Sequence, residues 1–174
     1  LAPDLYHGES ASHTEMDKAG RLMASLPPDR AARDMAGAVG FLLDHEAVRG
    51  SRAGVVGFCM GGALALLVAA QEGARIGAVV PYYGAPLAER TPDWSGLVAP
   101  VLGHVAEKDN FFPPAAMSEL ETSLKQMGKD VTFHQYPGCG HAFANETNAL
   151  GTYDVDAARS AWSRTVEFLH EHLG

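Results

Sequence analysis

Positive charge, cysteine and long apolar runs are all scarce in this chain. Its 13 Lys and Arg stand against 21 Asp and Glu, a formal net charge of −8 at pH 7. The acids are scattered rather than gathered in a tail, so the surface repels phosphate backbones and no DNA or RNA partner is expected. The 2 cysteines, Cys59 and Cys139, are too few for a disulfide framework. That count favours a reducing setting, taken here as cytoplasmic, or a chemical role for one thiol. No apolar run reaches the roughly 18 residues of a membrane span, since the stretch Ala63 to Ala70 stops at Gln71 and Glu72. Internal repeats, low-complexity tracts and interdomain linkers are missing too. The chain opens without Met or an apolar leader, on Leu1-Ala2-Pro3-Asp4-Leu5-Tyr6, which reads like the end of a strand entering a loop. Further strands are therefore expected upstream, and the opening carries no information on targeting.

What is present is ordinary globular composition: 174 residues, 47% hydrophobic and 20% charged, enough to bury one continuous core. A single domain over residues 1–174 is expected, as a monomer or a small homo-oligomer. Short apolar runs alternate with helical patterns, the mark of βαβ units and an α/β fold on a mainly parallel sheet with helices on both faces. Arg52 to Phe58, Ile76 to Tyr83, Pro100 to Ala106 and Val131 to Tyr136 read as buried strands, with Leu1 and Ala2 ending a fifth. Helices are expected over Asp29 to His45, Met60 to Gln71, Pro113 to Met127 and Asp154 to Leu173. The last should bury a stripe of Val155, Trp162, Val166 and Leu169, whereas His7 to Leu26 looks like loop.

The sharpest local signal is Gly57-Phe58-Cys59-Met60-Gly61-Gly62, between a strand and an apolar helix. It has the pattern of a nucleophile elbow with cysteine in the serine position. Such a turn is so sharp that side chains two residues before or after the nucleophile should collide, a need that Gly57 and Gly61 meet. The turn sets Cys59 at the positive end of a helix, where negative charge on sulfur is favoured, and makes the Met60 N–H the natural donor to a developing oxyanion. A nucleotide-binding loop would want G-x-G-x-x-G or a terminal Lys-Ser/Thr, and neither is present.

Asp109 directly follows the third strand, and His141 lies in the Gly-rich loop after the fourth. Taken singly, these are a turn residue and a solvated histidine. Taken together, Cys59, Asp109 and His141 run in the nucleophile, acid, histidine order of α/β-hydrolases, each after a successive parallel strand. His141 would then move the thiol proton while Asp109 holds its tautomer. Tyr83, Phe112 and Phe143 flank these positions and are candidates to line a substrate pocket. No metal and no organic cofactor is expected. The competing reading is a non-catalytic or redox-responsive α/β scaffold with Cys59 as a packing thiol, and the runner-up fold, a five-stranded flavodoxin-like domain, suits the strand count but gives the three residues no role. A disulfide between Cys59 and Cys139 is disfavoured, because sequence fixes no suitable Cα separation.

The chain resembles the dienelactone hydrolases. The likeness rests on Ala2-Pro3-Asp4-Leu5-Tyr6, the cysteine elbow, Tyr82-Tyr83-Gly84, Asp109 followed by Pro113, and Gly140-His141-Ala142-Phe143-Ala144-Asn145. It implies an α/β-hydrolase lacking its first strands here, with those strands supplying a second oxyanion donor and a glutamate partner for the cysteine. The activity implied is cleavage of a small ester or lactone through a cysteine acyl-enzyme.

Overall fold

The computed structural model describes residues 1–12, 14–87 and 90–174. It divides into two compact units, Leu1–Gly50 and Ser51–Gly174. In the first unit a turn over the opening residues leads into α1 (Met16–Ser25) and α2 (Pro28–Asp44). Asp4 organises that turn by accepting the Tyr6 and Gly8 N–H groups at 3.0 and 2.6 Å. His7 Nε2 meets Asp34 Oδ2 at 2.7 Å, and Arg30 donates to the Leu5 carbonyl at 3.2 Å, so both hold the turn to α2. Pro27 and Pro28 end one helix and start the next, as a Pro at the first helical turn loses no bond.

Two expectations fail in this unit. Leu1 and Ala2 belong to no strand, since a strand exists only through a pairing neighbour and these residues have none among the described residues. The segment read as loop contains α1, because Met16, Ala19, Leu22 and Met23 recur at helical spacing, diluted by Asp17, Lys18, Gly20 and Arg21. The α2 stripe is as expected at Met35 and Val39, joined by Ala31, with Leu42 and Leu43 half-buried.

The second unit is a parallel sheet of β1 (Ala53–Phe58), β2 (Ile76–Tyr82), β3 (Val101–Lys108) and β4 (Val131–Gly140), in the order β1-β2-β3-β4. Every residue of β2 is buried, as a strand covered on both faces requires. The period of two assigns the faces. Val80, Tyr82, Leu102, Ala106 and Tyr136 pack with Ala161, Phe168 and Leu169 of α5 (Val155–Leu173). On the other face Val105 packs with Met117 of α4 (Pro114–Gln126). The helix α3 (Met60–Glu72) joins β1 to β2 and buries Ala65, Leu66, Val68 and Ala69.

The inward stripe of α5 differs from expectation. Ala161 and Thr165 are its buried residues, while Val155 and Trp162 are about half exposed. Small residues bring the helix close to the sheet, and the Thr165 hydroxyl completes a buried polar chain. Thr165 Oγ1 donates to the Ala161 carbonyl and takes the Tyr82 hydroxyl at 2.6 Å and His104 Nε2 at 3.0 Å. His104 Nδ1 in turn lies 2.9 Å from the Tyr136 hydroxyl, which Arg164 also approaches. This chain of bonds suits a neutral His104 with its proton on Nε2.

Burial holds the His104 pKa down at about 3, with the charges of His134 and Arg164 adding. An unfolded histidine titrates near 6.5, so the unfolded chain takes up the proton first as pH falls. Stability from this group is full above that value and is lost below it, by about 1.4 kcal/mol per pH unit. Thermal unfolding between pH 7 and 5 should show the loss, and His104→Gln should flatten the slope whatever its starting Tm. Equal slopes for the two proteins would contradict the assignment.

Candidate active site

Strand register brings the candidate residues together. Phe58 pairs with Tyr82, so Cys59 and Tyr83 leave the sheet side by side. A register irregularity between Ala106 and Lys108 pairs Lys108 with Gly140, which sets Asp109 beside His141. Both pairs follow the carboxyl ends of parallel strands, the edge at which open α/β sheets build their sites.

Cys59 caps α3 with φ 54° and ψ −118°, a conformation costing a non-glycine residue about 1–3 kcal/mol. Three bonds hold it there. Its N–H donates to the Tyr82 carbonyl at 3.0 Å, and its carbonyl accepts the Gly62 and Ala63 N–H groups at 2.9 and 3.2 Å. The Met60 N–H heads the helix, where no carbonyl four residues back can reach it. Crowding at the elbow is only partly as expected: a Cβ at Gly57 would overlap the Gly61 carbonyl, yet the space at Gly61 itself is open among the described residues. The second crowded position is Gly84, where a Cβ would overlap the Cys59 carbonyl.

Asp109 is almost fully buried, and its two oxygens do different things. Oδ1 accepts the Phe111 and Phe112 N–H groups at 2.8 and 2.9 Å, closing an Asx turn. Oδ2 accepts His141 Nδ1 at 2.8 Å. The Cys59 thiol is near enough to the same ring to act on its proton affinity and, with Asp109, favours its charged form. Burial pulls the His141 pKa down, but Cys59 and Asp109 outweigh it and leave the histidine above its ordinary range. The His141 backbone is held as well, since the Thr152 hydroxyl donates to its carbonyl at 2.5 Å and Asp154 N–H donates to the Phe143 carbonyl at 3.0 Å. Between those two anchors Ala142 turns at φ 62°.

The expected pocket residues divide. Tyr83 meets the His141 ring edge-on at 5.2 Å, and Phe112 stacks on it at 5.8 Å. Burial pushes the Tyr83 hydroxyl up, with the Tyr82 and Cys59 charges adding, so it stays protonated. Phe143 is a correction: it is fully buried against Tyr83 and Tyr136 and supports the wall from behind. Its place is taken by Phe111, whose ring lies 4.7 Å from that of His141. The Asp109-Asn-Phe sequence could have signalled it, because an Asp starting an Asx turn fixes the residue two positions on. Nothing in the sequence points to Thr152. Cys59 and Cys139 are both free thiols, and Cys139 is buried. Among the described residues no group of three or more His, Cys, Asp or Glu could hold a metal ion, and no helix is long and apolar enough to cross a membrane.

Comparison with known proteins decides the family. The dienelactone hydrolase family model matches residues 1–173. The chain belongs to the dienelactone hydrolase family. It is accordingly a carboxylic ester hydrolase. Protein usf of Aquifex pyrophilus is 34% identical over 99% of this chain and 74% of its own length. The carboxymethylenebutenolidase of Pseudomonas putida is 30% identical over 97% of the chain and 72% of its own length. Among solved structures, the α/β-hydrolase MGS-M1 from a Medee basin deep-sea metagenome library superposes with a TM-score of 0.73 at 18% identity, covering 98% of this chain and 82% of that one. The fold of this dienelactone hydrolase family member is thus the α/β-hydrolase fold rather than a flavodoxin-like one.

Proposed function

We propose that this hydrolase cleaves a small ester or lactone through a thioester on Cys59, with His141 as base and acid and Asp109 as the residue that orients it. The observation that carries the reading is the His141 ring, bonded to Asp109 through Nδ1 at 2.8 Å and near enough to Cys59 for the thiol to raise its pKa. His141 Nε2 takes the thiol proton as sulfur attacks the carbonyl carbon, and the negative oxygen of the tetrahedral intermediate is met by the Met60 N–H. Collapse breaks the carbon–oxygen bond, His141 returns the proton to the leaving alkoxide, and the acyl group remains on sulfur. Water, deprotonated by the same imidazole, then attacks the thioester and frees acid and thiol. The strained backbone at Cys59 supports this role, since such strain concentrates at reacting groups. A free reactive thiol suits a reducing compartment such as the cytoplasm, and the complete protein is proposed to act as a monomer or small homo-oligomer.

Alkylation tests the assignment. Iodoacetamide is expected to label Cys59 well ahead of Cys139, which burial and the charges of Asp154 and Glu107 keep in the unreactive thiol form. Ester cleavage should be lost in step with Cys59 labelling. Equal labelling of the two thiols, or full activity after Cys59 is blocked, would overturn it.

A further inference from the structure

The walls around His141 say what kind of group can sit beside the scissile bond. Three aromatic rings face the imidazole: Tyr83 edge-on at 5.2 Å, Phe112 stacked at 5.8 Å and Phe111 tilted at 4.7 Å. Phe58 extends this surface, with its ring 6.2 Å from that of Tyr83 and 46% of its area exposed. Phe111 is 67% exposed, yet its backbone is fixed, because its N–H is bonded to the same Asp109 carboxylate that orients His141. A phenyl ring left in water beside a reacting centre recovers its hydration cost only when an apolar group covers it.

Charge points the same way. Among the described residues no Arg or Lys is hydrogen-bonded to or stacked on His141, Tyr83, Phe111 or Phe112, and none is among the charges acting on His141 or Tyr83. The charges acting on His141 are those of Cys59 and Asp109. Among the described residues the cation over an aromatic face is Arg164 above Tyr136. A substrate carboxylate placed against these rings would shed part of its hydration and find no cation stacked on them among the described residues, which is costly.

On the reading of Cys59 and His141 given above, we infer that the substrate is an ester or lactone that is uncharged near its scissile carbonyl and carries an apolar or aryl group, which lies on Phe111 and Phe112. Phe111 is then a specificity-determining residue. The carboxylate that the name carboxymethylenebutenolide implies for relatives is the group this wall disfavours.

Two activated esters of similar size test this: p-nitrophenyl butyrate, which is neutral, and the p-nitrophenyl monoester of succinate, which carries a carboxylate. The neutral ester is expected to lead in kcat/KM by about tenfold or more, and added NaCl should not slow the anionic one. Phe111→Ala should reduce the neutral lead by about 2- to 13-fold, the range of one aromatic contact. Phe111→Arg should raise turnover of the anionic ester relative to the neutral one. An anionic ester cleaved as fast as the neutral one and slowed by salt would overturn the inference, as would a ratio that ignores position 111. Cleavage of neither ester would instead sink the assignment of Cys59 and His141, and this inference with it.

Discussion

Replacing Cys59 with Ala is expected to lower kcat for an activated ester by about 10⁴-fold or more, while the protein stays folded. The size of the loss follows from the mechanism: without sulfur there is no thioester, and what remains is carbonyl polarisation and binding. The fold should tolerate the change. Alanine keeps the Cβ, so the strain at φ 54° is neither added to nor relieved, and the bonds that hold the elbow are all backbone. Cys59 packs at the edge of the core cluster and is only half-buried, so removing its sulfur should cost about 1 kcal/mol or less. Thermal unfolding and ester kinetics on one preparation separate the two effects. A variant within about tenfold of the parent would mean that sulfur is not the nucleophile.

Asp109→Asn should be nearly as damaging, by about 10⁴-fold in kcat, and through a different route. In the parent, Oδ1 takes two backbone N–H groups and Oδ2 takes the His141 Nδ1 proton. An asparagine must keep its oxygen on the Phe111 and Phe112 N–H groups, which turns its NH2 toward His141. The imidazole then has to accept at Nδ1 and carry its proton on Nε2, where it cannot take one from Cys59. The pH profile offers a second reading of the same pair. Because His141 lies above its ordinary range, the acid limb of kcat/KM should fall above pH 6.5, and the residual activity of the variant should have its limb at lower pH. Stability carries the matching sign. A raised histidine pKa contributes fully below 6.5 and is lost as pH rises through the folded-state value, so the parent should lose this contribution on the alkaline side and the variant should not have it to lose. A limb at or below 6.5 in the parent would contradict a His141 held above its ordinary range by Cys59 and Asp109.

The parts of the site that depend on chain-local chemistry were readable from the amino-acid sequence. The glycine spacing pointed to the sharp strand-to-helix turn at Cys59, and the places of Asp109 after β3 and His141 after β4 anticipated the hydrogen bond that joins those two. Four parallel strands followed from apolar runs, though β3 and β4 extend further than their hydrophobic segments because pairing continues through Lys108 and Gly140. Other features depend on tertiary packing. The buried side of α5 is chosen by Thr165, whose hydroxyl is needed by Tyr82 and His104, and no hydropathy pattern favours it over Trp162. Phe143 follows the histidine directly, yet the turn at Ala142 sends it into the core. Thr152 reaches the His141 carbonyl from a loop eleven positions later, a contact without local signature. The α1 stripe was hidden by its charged neighbours, because its apolar residues are few and none is buried.

The central claim is that an acyl group passes through the sulfur of Cys59, and acid-quenched mass spectrometry during turnover of an activated ester tests it most directly. One acyl unit is expected on the peptide that contains Cys59, appearing before steady state and disappearing as substrate runs out. Turnover with no such adduct at any time, or an adduct on another residue, would contradict the account.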